Sequence, residues 1–357
     1  MEFGIVGLEL SGKTTLFSLL TGHDPAATSG KRETHVGIAH VPDARLDRLT
    51  ALFKPKKHTP ATVRFVDVPG IARGGGQSLN LPELRTMDGL LAVVRGFSSD
   101  AVPHPEGSVD PARDLELLET ELLLADHSVA ATRLEKLVKE MAKRKDPALA
   151  VEKGALEKGK AALDTGKPLR EVDFSEEERR SLKGFTFLTM KPLLAVLNVG
   201  EAEASDLSGA LARSGLSRWE GKPHVRVCPV SAPIEQEISR LDPADQPAFL
   251  ADLGLPDRAL DRVLHAAYEL LGLISFLTVG EDECRAWSIP AGTYAVRAAG
   301  AVHSDIEKGF IRAEVVPWQD LLDAGSLATC RTKGTLRLEG KDYVVKDGDV
   351  VHFRFNV

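Results

Sequence analysis

The feature that most constrains this chain lies near its start. The stretch "GLELSGKTTLF", Gly7 to Phe17, fits G-x-x-x-x-G-K-S/T through Gly7, Gly12, Lys13 and Thr14. The same pattern arises by chance as a glycine turn beside a surface lysine, so its flanks decide. "EFGIVG" before it is apolar and β-branched and predicts a buried strand. "TTLFSLLTG" after it predicts a helix with Leu16, Leu19 and Leu20 on one side and Gly22 as its C-cap. Strand, glycine loop and helix in this order aim backbone N–H groups and a helix N-terminus at a phosphate. Leu8, Glu9, Leu10, Ser11, Gly12 and Lys13, with Thr14 and Thr15 opening the helix, form the expected nucleotide cradle. Lys13 is expected to reach the β/γ-phosphates and neutralise charge there, and the Thr14 hydroxyl to ligate Mg²⁺.

Such a loop needs an aspartate at the end of a second strand, followed by a tight glycine turn. "ATVRFVDVPG" supplies both: Val63, Phe65 and Val66 form an apolar strand ending at Asp67, and Gly70 completes D-x-x-G. Alone, D-x-P-G is a common turn. Placed 54 residues beyond Lys13, at a strand end, it points to a switch-type NTPase. Asp67 would hold the metal, directly or through water, and the Gly70 N–H would sense the γ-phosphate.

A third segment faces the base. "KPLLAVLNVGEAEAS" is an apolar strand ending in Asn198-Val199-Gly200-Glu201. GTPases place N-K-x-D here, because a carboxylate accepts the guanine N1–H and N2–H₂ donors. Val199 replaces that lysine and Glu201 that aspartate, so guanine specificity is not expected. A further strand, "HVRVCPVSAP", ends at Ser231-Ala232, where such folds close over the base.

The length of 357 residues allows two or three domains. A net charge of −7 argues against wholesale coating of nucleic acid or anionic membrane, while leaving room for a local basic patch. Cys228, Cys284 and Cys330 are far apart and suggest neither a zinc site nor a disulfide framework. The N-terminus runs straight into a strand without a basic n-region, and no apolar run approaches membrane-spanning length, so a cytoplasmic protein is expected.

Taken together, these residues resemble the YchF or Obg-like ATPase family over nearly the whole chain. "VPDARLDRLTALFKPKKHTPATVRFVDVPG" is similar to that family's stretch through the metal aspartate, and "SVDPARDLELLETELLLAD" to the start of its helical insertion. "CRAWSIPAG", "VHSDIEKGFIRAEVV" and "RLEGKDYVVKDGDVVHFRFNV" resemble its C-terminal TGS module. The resemblance implies ATP preference through N-x-x-E, carried by Asn198 and Glu201. It implies a GTPase-like fold whose catalytic glutamine is replaced by a hydrophobic residue, here Ile71. It also implies that a histidine in a mobile loop orients the attacking water, and "RGFSSDAVPHPEGSVDP" aligns His104 with it. Read without the resemblance, His104 is a solvated loop residue between two prolines.

The chain departs from the family at three places. Leu10 stands where the family has the asparagine that helps place a monovalent cation. Lys31 stands at the threonine of the first switch, with Thr28, Ser29 or Thr34 as substitutes only after rearrangement. The second switch keeps Gly74-Gly75-Gly76 but is shortened. These departures touch the hydrolytic machinery and leave the binding residues in place, the pattern of a divergent paralogue.

The expected fold class is α/β: a P-loop GTPase-like parallel sheet with a helical coiled-coil insertion and a C-terminal β-grasp (TGS) domain. Residues 1–111 and 186–275 form the NTPase domain, 112–185 the helical hairpin and 276–357 the β-grasp domain. In the insertion Leu115, Leu118, Leu122, Ala125 and Val129, then Leu134, Leu137 and Met141, recur at coiled-coil spacing. Asp146-Pro147 starts a returning helix through Ala155, Leu156 and Leu163, and Ser175 with Glu178 fits a capping box. Residues 133–160 hold nine Lys/Arg against five Asp/Glu, with Lys143-Arg144-Lys145 at the tip. That is either a solvated helical face or a contact with an RNA backbone. Near the C-terminus "LEGKDYVV" reads as a hairpin turned at Gly340-Lys341, and Asp305, Glu307 and Lys308 as surface ion pairs.

The sequence therefore leads to a YchF-type protein that binds and slowly hydrolyses ATP with Mg²⁺. Its nucleotide state would regulate association with the ribosome or structured RNA, with no membrane partner and no DNA sequence specificity. Three alternatives stay open: a GTP-binding regulator, a nucleotide-binding switch without turnover, and an RNA-binding module whose P-loop only stabilises the fold.

Overall fold

The computed structural model of the chain describes residues 1–23, 34–68, 81–144 and 146–356. Its strands are β1 (Glu2–Val6), β2 (His35–Val41), β3 (Lys57–Thr59), β4 (Ala61–Asp67), β5 (Gly89–Arg95), β6 (Leu193–Val199), β7 (Val225–Ser231), β8 (Leu273–Thr278), β9 (Glu283–Pro290), β10 (Phe310–Pro317), β11 (Arg337–Glu339) and β12 (Asp349–Phe355). Two compact units result. One is Met1–Ile38 with Arg64–Ala266; the other is Ala39–Val63 with Ala267–Val357. The chain passes from the first to the second inside β2 and returns inside β4.

The first unit carries the sheet ordered β2-β4-β1-β5-β6-β7, in which β1 runs parallel to β4 and β5, and β6 parallel to β5 and β7. β5 ("GLLAVVR") and β6 ("LLAVLNV") are buried at every position. Such unbroken apolar runs suit central parallel strands covered on both faces. Leu90, Ala92, Val94, Leu193, Ala195 and Leu197 pack against Leu115, Leu118 and Leu122 of the helix Pro111–Lys143.

That helix starts where Asp110 accepts the Arg113 N–H ahead of Pro111. Its later part joins a second cluster, in which Ala130 and Leu137 meet Ala155, Leu156 and Leu163 of the helix Pro147–Asp164. Asp146 caps the second helix, and the Ser175–Glu178 capping box is present in full. The buried stripe differs by one residue from the sequence reading. Ala125 and Val129 are only partly buried, while Asp126 and Ala130 lie in the interior. Asp126 is accommodated because it accepts from Leu188 N (3.0 Å), Thr189 N (2.7 Å), Thr189 Oγ1 (2.8 Å) and Arg85 Nη1 (3.2 Å). Burial pushes its pKa up, and these donors oppose that. The carboxylate fastens the long helix to the turn Leu188–Met190, where the chain returns to β6.

The second unit carries the sheet ordered β11-β10-β12-β8-β9-β3. On one face the helix Ala295–Val302 packs Ala295, Ala298 and Ala299 against Phe276, Ile289, Val315, Val351 and Phe353. Residues 39–63, which the sequence reading assigns to the NTPase segment, group here instead. β3 pairs parallel with β9 through Lys57–Glu283, His58–Cys284 and Thr59–Arg285. The helix Ala44–Phe53 buries Leu46 and Leu49 completely and packs on β9 and on the helix Trp318–Ala324. Arg45 bonds Asp347 at 2.6 Å, and Lys56 bonds Asp282 at 2.8 Å. The apolar face of this helix is plain in the sequence, but nothing in a single chain says which sheet will cover it. The hairpin at Gly340-Lys341 is corrected: β11 pairs antiparallel with β10, and Val344 bridges Tyr294. Asp305 and Glu307 make exposed ion pairs with Lys308 and Arg297. Among the described residues no helix is long and apolar enough to cross a membrane.

Candidate functional site

β1 delivers the chain into the glycine loop, and the helix Lys13–Thr21 leaves it. Two glycines are dictated by geometry. Gly7, at φ 150°, would put a Cβ 2.4 Å from the Val93 carbonyl oxygen, and Gly12, at φ 95°, would put one 2.4 Å from Asn198 Nδ2. Between them Leu8 is half-buried, while Glu9 and Leu10 face solvent. Leu10 sits at φ 62°, a left-handed conformation that asparagine tolerates better than leucine.

Three groups converge at the start of the helix. Lys13 is buried, and its Nζ donates to the Leu8 carbonyl at 2.7 Å. Burial lowers its pKa to about 8, against the attraction of Asp67 and Glu9. Thr14 donates from Oγ1 to Asp67 Oδ2 at 2.9 Å, so the two expected metal-binding groups are already together. Burial pushes the Asp67 carboxyl up, while Thr14, Lys13 and His35 draw it down. Ser11 keeps a buried hydroxyl without a hydrogen-bond partner among the described residues, and Thr15 is half-buried.

Asn198 does something the sequence reading did not assign to it. Its Nδ2 donates to the Ser11 carbonyl at 3.1 Å, and its Oδ1 accepts the Ala232 N–H at 3.3 Å. The side chain therefore braces the glycine loop against the end of β7. Ser231 closes the same corner by donating to the Gly200 carbonyl at 3.1 Å. Val199 packs its side chain into the interior, which leaves only its backbone for a ligand, and Glu201 is exposed. A nearby cavity of about 710 Å³, lined in part by Asp206, Glu220, Cys228 and Arg262, includes none of the expected site residues.

His104 is not solvated. Its Nε2 lies 2.9 Å from Asp114 Oδ2, with both side chains 4 % exposed, and its Nδ1 accepts the Glu106 N–H at 3.1 Å. Asp114 also takes Arg113 Nε and Nη2 on its other oxygen, at 3.0 and 2.8 Å. Arg95, at the end of β5, donates to the carbonyls of Phe97 and Val102 at 3.0 and 2.6 Å and so holds the loop before His104. Asp114, Arg95 and the Asn198 brace escaped the sequence reading. The usable signal for Asp114 was a carboxylate at i−4 from Leu118 in an otherwise apolar row.

Several expected residues lie outside the described ones: Gly70 and Ile71, Thr28, Ser29 and Lys31 of the first switch, Gly74-Gly75-Gly76 of the second, and Lys145 of the basic tip. Thr34 is described, and donates to Glu83 Oε2 at 2.7 Å.

With this geometry in view, the comparisons with known proteins are specific. Residues 273–356 match the family YchF-GTPase_C, described as "Protein of unknown function (DUF933)". The chain is 42 % identical to the "Ribosome-binding ATPase YchF" of Bacillus subtilis (strain 168) over 365 residues, covering 99 % of each. It is 34 % identical to "Obg-like ATPase 1" of Caenorhabditis elegans over 369 residues, covering all of this chain and 92 % of the relative. Its fold superposes on the solved structure of the Schizosaccharomyces pombe YchF GTPase with a TM-score of 0.86 at 30 % identity, covering 99 % and 97 % of the two chains. Full-length identity at this level, on a GTPase-like α/β fold, means that the chain belongs to the YchF / Obg-like ATPase family.

Proposed function

We propose that this chain binds ATP with Mg²⁺, hydrolyses it slowly, and uses its nucleotide state to regulate association with the ribosome or its structured RNA. The Thr14–Asp67 contact beside buried Lys13 carries the reading, because a hydroxyl and a buried carboxylate 2.9 Å apart are hard oxygen donors suited to Mg²⁺. The Ser11 hydroxyl, unpartnered among the described residues, adds a donor in want of an acceptor. Relatives named ribosome-binding ATPases support the ribosome as partner.

On this reading the backbone of residues 8–13, with Thr15, cradles the phosphates, and the Lys13 ammonium exchanges the Leu8 carbonyl for a phosphate oxygen. Thr14 and Asp67 hold Mg²⁺, whose charge offsets that of the phosphates. The Gly70 N–H senses the γ-phosphate. Asn198 keeps the loop in place, while Val199 through its backbone, Glu201, Ser231 and Ala232 border adenine. His104 orients the water whose oxygen attacks the γ-phosphorus as the bond to the bridging oxygen of ADP breaks. The tripartite division into 1–111 with 186–275, 112–185 and 276–357 belongs to this reading, supported by the separate apolar clusters of the outer part of the insertion and of the C-terminal sheet. Residues 39–63 and 267–275 group instead with the unit that holds 276–357, and 112–185 groups with the first unit. The protein is read as cytoplasmic.

Titrating ATP and GTP against the protein with and without Mg²⁺ tests the site. ATP binding tighter than GTP, weakened by Lys13→Ala and by chelation, is expected; equal or tighter GTP binding overturns the adenine assignment. Co-sedimentation with ribosomes that is identical with ATP, with ADP and without nucleotide overturns the regulatory part. A sensor without turnover is the second reading, favoured by the burial of His104 against Asp114.

A further inference from the structure

His104 is held from two sides. Within its own loop, the Glu106 N–H occupies Nδ1, which in a neutral imidazole assigns the proton to Nε2. From outside the loop, Asp114 stands on the first turns of the helix Pro111–Lys143 with Oδ2 2.9 Å from that Nε2. Among the described residues Nδ1 is taken, and Nε2 is shut in beside the Asp114 carboxylate with the side chain 4 % exposed. Arg95 reinforces the arrangement: it is buried, stacks on Phe97 at 4.4 Å and takes the carbonyls of Phe97, Val102 and Pro103.

The two contacts differ in kind. The Glu106 bond spans two residues and travels with the loop. The Asp114 contact is to a fixed helix, and Oδ2, though close to Nε2, has no aligned hydrogen-bond donor among the described residues. It therefore holds by close packing beside the carboxylate, and it is the contact that opens at the smaller cost.

We infer that Asp114 is a positioning residue that latches His104 in a withdrawn position, so that hydrolysis waits for its release. The inference rests on the reading of His104 as the water-orienting group. Once released, His104 keeps Nδ1 on the Glu106 N–H and presents an Nε2–H donor, which suits orienting water rather than removing its proton.

The test uses the full chain, carbethoxylation of individual histidines by diethyl pyrocarbonate followed by peptide mass spectrometry, and ATP turnover on the same samples. In the wild type His104 should react far more slowly than exposed His303. Asp114→Asn keeps the shape and removes the charge; it should raise both His104 reactivity and turnover by about tenfold, the effect of losing one charged contact. ATP affinity should stay unchanged, and adding His104→Ala should erase the gain. Wild-type His104 reacting as fast as His303 overturns the latch without any variant. Asp114→Asn that leaves reactivity unchanged, or lowers turnover at unchanged ATP affinity, also overturns it, the latter making Asp114 an orienting partner instead. If His104→Ala alone keeps wild-type turnover, the reading of His104 fails, and the two reactivity comparisons still decide the latch.

Discussion

The side-chain amide of Asn198 donates to the carbonyl of Ser11 over 3.1 Å, joining the end of β6 to the middle of the glycine loop. The same amide accepts the Ala232 N–H, so one buried residue ties together the three segments that would surround a nucleotide. Asn198→Ala leaves a buried N–H and a buried carbonyl unpaired. Stability should fall by about 1–3 kcal/mol, with weaker ATP binding, read by denaturant unfolding and calorimetry. Unchanged unfolding would mean that the brace contributes nothing.

Leu10 sits at φ 62° and is 52 % exposed, so its side chain gains little from burial and its backbone is strained. Leu10→Asn should stabilise the protein by about 1 kcal/mol. Thermal melting checks it, and a lower midpoint would contradict it.

Leu49 is fully buried in the second unit although it lies between the glycine loop and Asp67 in sequence. Leu49→Ala should cost about 2–5 kcal/mol. The loss should be read as faster amide exchange in β8 and β9. An isolated fragment of residues 276–357, lacking β3 and the helix Ala44–Phe53, should fail to unfold cooperatively.

Asp43 caps that helix and pairs with Arg45. Burial alone would raise its pKa, but the Arg45 guanidinium together with the N–H groups of Arg45 and Leu46 outweighs burial and holds it below the ordinary 3.8. A depressed folded-state pKa means that Asp43 contributes stability above the unfolded value and loses it as the pH falls through the folded one. The melting difference between wild type and Asp43→Asn should be full near neutrality and shrink below about pH 4, the unfolded aspartate value. A difference that stays full as the pH falls far below that value would contradict this.

What could be read from the residues, and what could not, divides along physical lines. The glycine loop, the β4 aspartate and the helix caps at Asp146 and Ser175 were legible because each depends on backbone chemistry within a few residues. A continuous apolar run likewise marked β6. Asp126 escaped because a carboxylate is buried only where tertiary structure brings it donors, here Thr189, Leu188 and Arg85. That residues 39–63 group with the second unit was not legible, because sequence order carries no record of which sheet covers a helix. The inward orientation of His104 depends on Asp114, ten residues on, and no local pattern reveals it.

The central claim is that this chain consumes the nucleotide it binds, and multiple-turnover hydrolysis of ATP with Mg²⁺, for wild type and His104→Ala, tests it most directly. The account predicts slow turnover in the wild type, its loss in His104→Ala, and equal ATP affinity for both. Tight ATP binding with no turnover by the wild type would contradict it and leave a protein that senses ATP without consuming it.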